Sequence, residues 1–90
     1  MENFNKIYAD FNSLNDGLLS LDSIKTKDDL KRLNVEFRDG QKYIFYDYDE
    51  DDNYQPNYIC AIGVVKYDHN KNVWFAEIDE QKIYHESKLD

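Results

Sequence analysis

The chain has 90 residues, the size of one domain, and 41% of them are hydrophobic and 16% aromatic, too many for a disordered segment. Its formal net charge of −8 repels phosphate backbones and anionic lipid headgroups, so we expect no binding to nucleic acid or to a membrane surface. No stretch approaches the ~20 apolar residues of a membrane span. The N-terminus lacks a signal-peptide pattern and Cys60 is the only cysteine, which together predict a cytoplasmic protein.

Residues 1–36 are predicted to form an N-terminal strand or hairpin and one short helix. Residues 4–11 fit both the spacing of a helix and the pattern of a short strand. The turn signal NDG at 15–17 is followed by the apolar run LLSL, which favours two strands joined by a turn. Thr26 is the predicted helix cap, because its hydroxyl can accept hydrogen bonds from the free amides of a first turn. Asn34 is predicted to end this helix after about two turns.

Residues 37–90 are predicted to form a small β-barrel, beginning with the strand QKYIFYDY after a turn at 38–40. Along this strand Ile44 and Tyr46 point to one side while Tyr43 and Phe45 point to the other. We therefore expect both faces of the strand to be covered. The acidic segment DEDDNYQPN, residues 49–57, is predicted to be a loop.

Three further strands are predicted after this loop. IGVVKY is the first, with Gly63 marking a bulge or a tight bend. VWFAEI is its hairpin partner, with Trp74, Ala76 and Ile78 on one face. Residues 79–82 suit a single-turn connector, and IYH is the closing strand.

The predicted fold is mainly β: a small Src-homology-3-like barrel with an N-terminal strand or hairpin and one short helix, all in one domain. The predicted order of elements is that of Src-homology-3 barrels: strand, long loop, strand, short hairpin, strand, helical turn and short strand. Open antiparallel α+β arrangements fit the pattern nearly as well.

Two short motifs resemble Src-homology-3 domains in sequence. IFYDY at 44–48 resembles their ALYDY segment, and VWFAEI resembles their tryptophan strand. In those domains the two tyrosines, acidic residues of the following loop and the tryptophan bind proline-rich peptides. The resemblance implies a groove formed by Tyr46, Tyr48, Asp49, Asp51 and Trp74. Nothing after the helical turn matches the Pro-and-Tyr segment that completes the groove in that family.

A second resemblance extends over most of the chain. Four segments are similar to a widespread family of small uncharacterised bacterial proteins: ADFNSLNDGLLSL, TKDDLKRLNVEFRDGQKYIFYD, IGVVKYD and WFAEIDEQKIYHES. That resemblance implies a compact barrel-like fold in a cytoplasmic protein, with residues 7–21 in β structure. It carries no activity, cofactor or partner over to this chain.

The sequence contains no arrangement typical of catalysis or of metal binding. Asp47, Asp49, Asp51 and Asn53 alternate as calcium ligands do, but the glycine and glutamate that such a loop needs at its sixth and twelfth positions are missing. Cys60 lies in an apolar run, where it is expected to pack as a small inert hydrophobe with a raised pKa. We therefore expect no enzyme activity, no metal and no cofactor.

The candidate binding site consists of aromatic residues beside the acidic segment. Rings supply contact area and carboxylates pair with Lys or Arg, so this combination suits a ligand with both apolar and basic groups. The alternative is that these rings complete the core. The candidate residues are Tyr46, Tyr48, Tyr54, Tyr58 and Trp74, with the carboxylates of Asp49, Asp51 and Asp52 as the rim.

The sequence thus predicts a non-catalytic protein-binding module whose partner is a protein with a basic surface. The alternative is an acidic inhibitor, an immunity or anti-defence protein that occupies the basic active site of a target such as a nuclease. The two differ in geometry: an inhibitor needs its carboxylates on one contiguous face, whereas a solvated surface scatters them.

Overall fold

The computed structural model describes residues 6–50 and 56–87. That part of the chain contains six strands, one α-helix and two 3-10 turns, which confirms the mainly β class with one helix. The elements are β1 (Lys6–Tyr8), β2 (Leu18–Ser20), α1 (Ile24–Leu33), β3 (Lys42–Glu50), β4 (Pro56–Asp68), β5 (Val73–Ile78) and β6 (Tyr84–Ser87), with the 3-10 turns at Phe11–Ser13 and Glu80–Lys82.

The strands form one sheet in the order β1-β3-β4-β5-β2, and β6 also pairs with β4. β1 runs parallel to β3, and all the other pairs are antiparallel. The long strand β4 changes partner along its length, with residues 57–60 on β6 and residues 63–68 on β5. The described strands form an open sheet that ends at β1 and β2. The likeness to a Src-homology-3 barrel therefore stays a prediction.

The N-terminal strands and the turn between them are present, but the two strands do not pair with each other. Asp16 and Gly17 adopt positive φ angles of 52° and 76°, as the turn signal predicts. Residues Asn15 and Leu18 form a bridge across that turn. The 3-10 turn before it leads the chain away from β1, so β1 reaches the edge of β3 and β2 reaches β5.

The helix begins earlier than predicted. Its cap is Ser23, whose hydroxyl oxygen accepts the Thr26 backbone N–H at 3.1 Å, so the assignment of Thr26 as cap is wrong. Thr26 instead lies within the helix and is fully buried. Asn34 ends the helix as predicted, in the left-handed conformation with a φ of 55°.

The acidic segment 49–57 is not, as predicted, a loop throughout, because both flanking strands continue into it. Asp49 pairs with Asn57 and Glu50 with Pro56, so only residues 51–55 lie between β3 and β4. Gly63 pairs with Tyr43 and Ile78 in uninterrupted register, so the predicted bulge is absent there.

The core lies on one face of the sheet, which we call the inner face. Its buried residues alternate along the strands and include Ile7, Phe45, Val65 and Ala76. Side chains from the 3-10 turn, from α1 and from the segment after α1 pack against them: Phe11, Leu14, Leu30, Leu33, Val35 and Phe37. The helix packs on this core beside the edge strand β1, so its side chains reach both the inner face and the tyrosines at that edge of the other face.

Candidate functional site

The outer face of the sheet carries the main cluster of exposed apolar side chains. Alternation along β3 puts Ile44, Tyr46 and Tyr48 opposite the buried Tyr43 and Phe45. The pairing register extends this face across the neighbouring strands. We call it the open face; its described side chains include Lys6, Tyr8, Leu18, Lys42, Ile44, Tyr46, Tyr48, Tyr58, Cys60, Ile62, Val64, Glu77, Tyr84 and Glu86.

Four large apolar residues of the open face are exposed to solvent. Tyr48 is 49% exposed, Ile62 47%, Leu18 45% and Tyr84 39%. Of the large hydrophobic residues that the structure shows exposed, Ile24 on α1 is the one that lies elsewhere. Exposed large apolar side chains that share one sheet face make that face a candidate interaction surface.

One end of the open face is a cluster of four tyrosines: Tyr8, Tyr46, Tyr48 and Tyr58. The ring centroids of Tyr46 and Tyr58 are 5.5 Å apart, and those of Tyr48 and Tyr58 are 5.6 Å apart. Tyr8 joins from β1, with its centroid 5.9 Å from that of Tyr46. Tilted and edge-to-face contacts at these distances stabilise the cluster and fix the ring orientations.

Asp29 on α1 contacts this cluster from the β1 edge of the sheet and fixes its position. It is 7% exposed, and its Oδ2 accepts the Tyr8 backbone N–H at 2.9 Å and the Tyr46 hydroxyl at 3.1 Å. Its Oδ1 accepts Arg32 at 3.4 Å. Burial, followed by the charge of Asp29, raises the pKa of Tyr46, so this hydroxyl stays protonated and keeps donating to the carboxylate.

Two depressions indent the open face. The first has a volume of about 200 Å³ and is lined by Lys6, Arg32, Tyr46, Tyr58 and Cys60. The second has a volume of about 440 Å³ and lies at the other end of the face; its lining residues are Lys42, Ile62, Val64, Glu77, Asp79, Lys82 and Tyr84. Both are open on one side to solvent, and each is large enough to receive a side chain of a docked protein.

The polar contacts around the first depression are internal ion pairs. Lys6 Nζ donates to both oxygens of Glu86 at 2.8 Å, and that hydrogen bond raises the pKa of Lys6. Cys60 is buried, and burial raises the pKa of its thiol, as the sequence predicted. A thiol held protonated in this way is a poor nucleophile.

The structure brings part of the predicted site together and separates the rest. Tyr46, Tyr48 and Tyr58 are in mutual ring contact. Trp74 packs instead with Phe37 and Tyr67, at centroid distances of 5.9 and 4.9 Å, on the side of the sheet that holds the core. Asp49 belongs to β3, while Asp51, Asp52 and Tyr54 lie outside the described residues.

Sequence reasoning missed several residues of the open face, chiefly Tyr8, Leu18, Ile62 and Tyr84. The available signal was the apolar character of both sides of QKYIFYDY, which indicates a second apolar surface. We expected that surface to be covered, and the exposure of Tyr48 and Ile62 shows that part of it is open.

Most of the described aspartates hold backbone amides rather than forming a patch. Asp10 and Asp79 each accept an amide of the 3-10 turn that they cap. Asp68 accepts two amides of the β4–β5 turn, and Asp39 accepts the Tyr67 amide. Asp47 accepts the amides of Phe11 and Tyr48. These carboxylates are distributed around the molecule by the turns that need them.

Among the described residues, no three or more His, Cys, Asp or Glu side chains are placed to hold a metal ion. The described part of the chain also contains no helix with the length and apolar character needed to cross a bilayer. Comparisons with protein-family models, curated proteins and solved structures found no match to this chain.

Proposed function

We propose that this protein is a non-catalytic binding module and that another protein docks on its open face. The exposure of Tyr48, Ile62, Leu18 and Tyr84 on a single sheet face carries the proposal. Fully burying an exposed side chain of this size is worth roughly 1.5–3 kcal/mol. These four are already about half buried, so each can contribute about half of that on docking, and several act together in a specific interaction. Tyrosines suit such a surface because they bury large area at little cost in side-chain entropy.

The charge of the chain supports a partner different from the chain itself. Two copies would bring net charges of −8 and −8 together, and repulsion between them opposes self-association. The charged side chains within the open face are mixed in sign, with Lys6 and Lys42 beside Glu77 and Glu86. A partner with a positive rim around an apolar centre would therefore complement both the face and its surroundings. We propose that this interaction takes place in the cytoplasm.

The acidic inhibitor is the alternative proposal, and it depends on Asp49, Asp51 and Asp52. The distribution of the described aspartates among separate turns favours the binding module, because an inhibitor needs contiguous carboxylates. Replacing the three residues by asparagine distinguishes the two. The triple variant would associate much more slowly with a target if the protein is an inhibitor, and only moderately more slowly, through the loss of overall charge, if it docks through the open face.

Two substitutions to lysine at exposed positions test the proposed docking surface. Ile62→Lys places a charge in the centre of the open face, while Asn70→Lys adds the same charge in the exposed turn between β4 and β5. Affinity capture from the native cytosol, quantified by mass spectrometry, compares both variants with the unaltered protein. Loss of the apolar contact predicts recovery of a specific partner by the unaltered protein and by Asn70→Lys, and about tenfold less recovery by Ile62→Lys. Equal recovery by all three proteins would contradict the proposal.

A further inference from the structure

A positively charged side chain of the protein itself lies over the tyrosine cluster. Lys25 Nζ is 3.9 Å from the ring centroid of Tyr48 and 4.6 Å from that of Tyr8. Both distances are within the range in which a cation is attracted by the negative face of an aromatic ring. One ammonium group is thus shared between two rings from different strands.

The helix places Lys25 there through bonds that do not involve the lysine. Thr26 Oγ1 donates to the Tyr8 carbonyl at 2.7 Å, and Asp29 accepts the Tyr8 amide, so the first turns of α1 are fixed against β1. Lys25 itself is exposed. Its ammonium group can therefore leave the rings without disturbing the helix or the sheet.

The surroundings of the two rings also favour positive charge. Asp47 and Asp10 lie close enough to Tyr8 for their charges to raise the pKa of its hydroxyl, after the larger effect of burial. Asp47 also accepts the amides of Phe11 and Tyr48. Aromatic faces flanked by carboxylates form a surface that attracts cations and disfavours anions.

We propose that Tyr8 and Tyr48 form a cation-binding site, that Lys25 occupies it in the free protein, and that a Lys or Arg side chain of the partner replaces Lys25 on binding. The inference rests on the proposed function for the source of that cation, and it names the chemistry of one contact on the open face. Lys25 then acts as an internal competitor, which lowers the affinity for basic side chains until a docked partner supplies one at high local concentration.

The size of this competition follows from the exposure of the contact. An exposed cation–π pair contributes little, so removing Lys25 would strengthen binding of an external cation by about two- to fivefold. The lysine thus tunes the affinity of the site without closing it.

The test uses a blocked tripeptide with a central arginine, and its analogue with norleucine in place of arginine. Their binding to the full chain is followed by NMR through the ring signals of Tyr8 and Tyr48. Lys25→Ala empties the site, and Lys31→Ala removes the same charge from the exposed end of the same helix. We expect the arginine peptide to bind two- to fivefold more tightly to Lys25→Ala than to Lys31→Ala, and the norleucine peptide to cause no ring shifts.

A second pair of variants assigns the binding to the rings. In the Lys25→Ala background, Tyr48→Leu should abolish the gain, while Tyr84→Leu, which removes another exposed tyrosine from the open face, should retain it. Equal affinities of Lys25→Ala and Lys31→Ala, or a gain that persists in Lys25→Ala/Tyr48→Leu, would overturn the proposal. Because the probe is a peptide, this result does not depend on finding the protein partner, so failure here and failure of the proposed docking surface are separate outcomes.

Discussion

Asp29 is the residue on which the site and the fold depend together. Its two oxygens accept a backbone amide of β1, the hydroxyl of Tyr46 and the guanidinium of Arg32. A carboxylate this buried would be costly without such partners, and each partner in turn would lose its acceptor if the carboxylate were removed.

Replacing Asp29 by alanine should therefore lower the free energy of unfolding by about 2–3 kcal/mol, because it leaves the Tyr8 amide and the Tyr46 hydroxyl without an acceptor. Asp29→Asn keeps one acceptor oxygen and should lower the free energy of unfolding by less. Urea unfolding measures both, and Asp28→Ala, on the exposed side of the same helix, is the control. A change for Asp29→Ala as small as that of the control would contradict this role.

Gly63 shows a packing constraint that its position in the strand does not reveal. A Cβ atom there would lie 2.6 Å from Ile78 Cδ1 and 3.0 Å from Cδ2 and Cε2 of the buried Phe45 ring. The absent side chain thus makes room for these two neighbours on the inner face. The sequence marks the glycine, but the residues that fill its space come from other strands.

Gly63→Ala should cost about 1–3 kcal/mol of stability through overpacking. Adding Ile78→Val removes the Cδ1 atom that lies nearest, so the double variant should be less destabilised than the sum of the two single changes. A double-mutant cycle by urea unfolding measures this difference. Strict additivity of the two changes would indicate that the crowding at Gly63 lies elsewhere.

At the scale of elements, α1 protects the outer edge of β1. The Tyr8 backbone N–H and C=O point away from β3, and Asp29 and Thr26 satisfy them as a neighbouring strand would. At the opposite end of the sheet, the outer backbone groups of β2 also have hydrogen-bond partners. Ser13 Oγ accepts the Ser20 amide, and Asn15 and Leu18 exchange two backbone hydrogen bonds. Such contacts discourage edge-to-edge association through β1 and β2.

Thr26→Val tests this edge protection, since valine has the shape of threonine without its hydroxyl. The Tyr8 carbonyl would lose its donor, and we expect a loss of about 1–2 kcal/mol of stability. Thr26→Ser keeps the hydroxyl and should be the milder change. Thermal unfolding of both variants checks the prediction, which fails if valine is tolerated as well as serine.

How far the sequence predicted these elements depends on the range of the signal. Local signals, from residues close together in the chain, predict four elements: the strand β3, the turn connector at Glu80–Lys82, the strand β6 and the end of α1 at Asn34. The parallel pairing of β1 with β3 does not, because it depends on contacts between distant segments that local turn signals do not encode. Trp74 was grouped with Tyr46 and Tyr48 by motif, whereas the register places it with Phe37 and Tyr67.

At the scale of the whole molecule, some of the acidic residues have a structural role. Asp10, Asp39, Asp47, Asp68 and Asp79 each accept at least one backbone amide, so much of the negative charge serves turns and loop contacts. The open face, by contrast, combines exposed apolar groups with charges of both signs. The proposed docking on the open face predicts that this negative field steers basic partners toward it.

The raised tyrosine pKa values predict how stability varies at high pH. Burial raises the pKa of Tyr46, and also that of Tyr8, Tyr43 and Tyr84, above the ordinary value of 10.0. The unfolded chain then releases protons before the folded chain does, so stability is fully present below pH 10 and is lost as the pH rises further. Urea unfolding in steps from neutral pH to above pH 10 should show this fall, and a shallower fall for Tyr46→Phe. Stability that rises in that range would contradict the assignment.

The most direct test of the docking surface is NMR of isoleucine methyl groups in the presence of the captured partner. Ile44 and Ile62 lie on the open face, while Ile7 and Ile78 are buried on the inner face. Docking on the open face predicts shifts or broadening at Ile44 and Ile62, with Ile7 and Ile78 unchanged. Changes at Ile7 and Ile78 with Ile44 and Ile62 unaffected would show that the partner binds elsewhere.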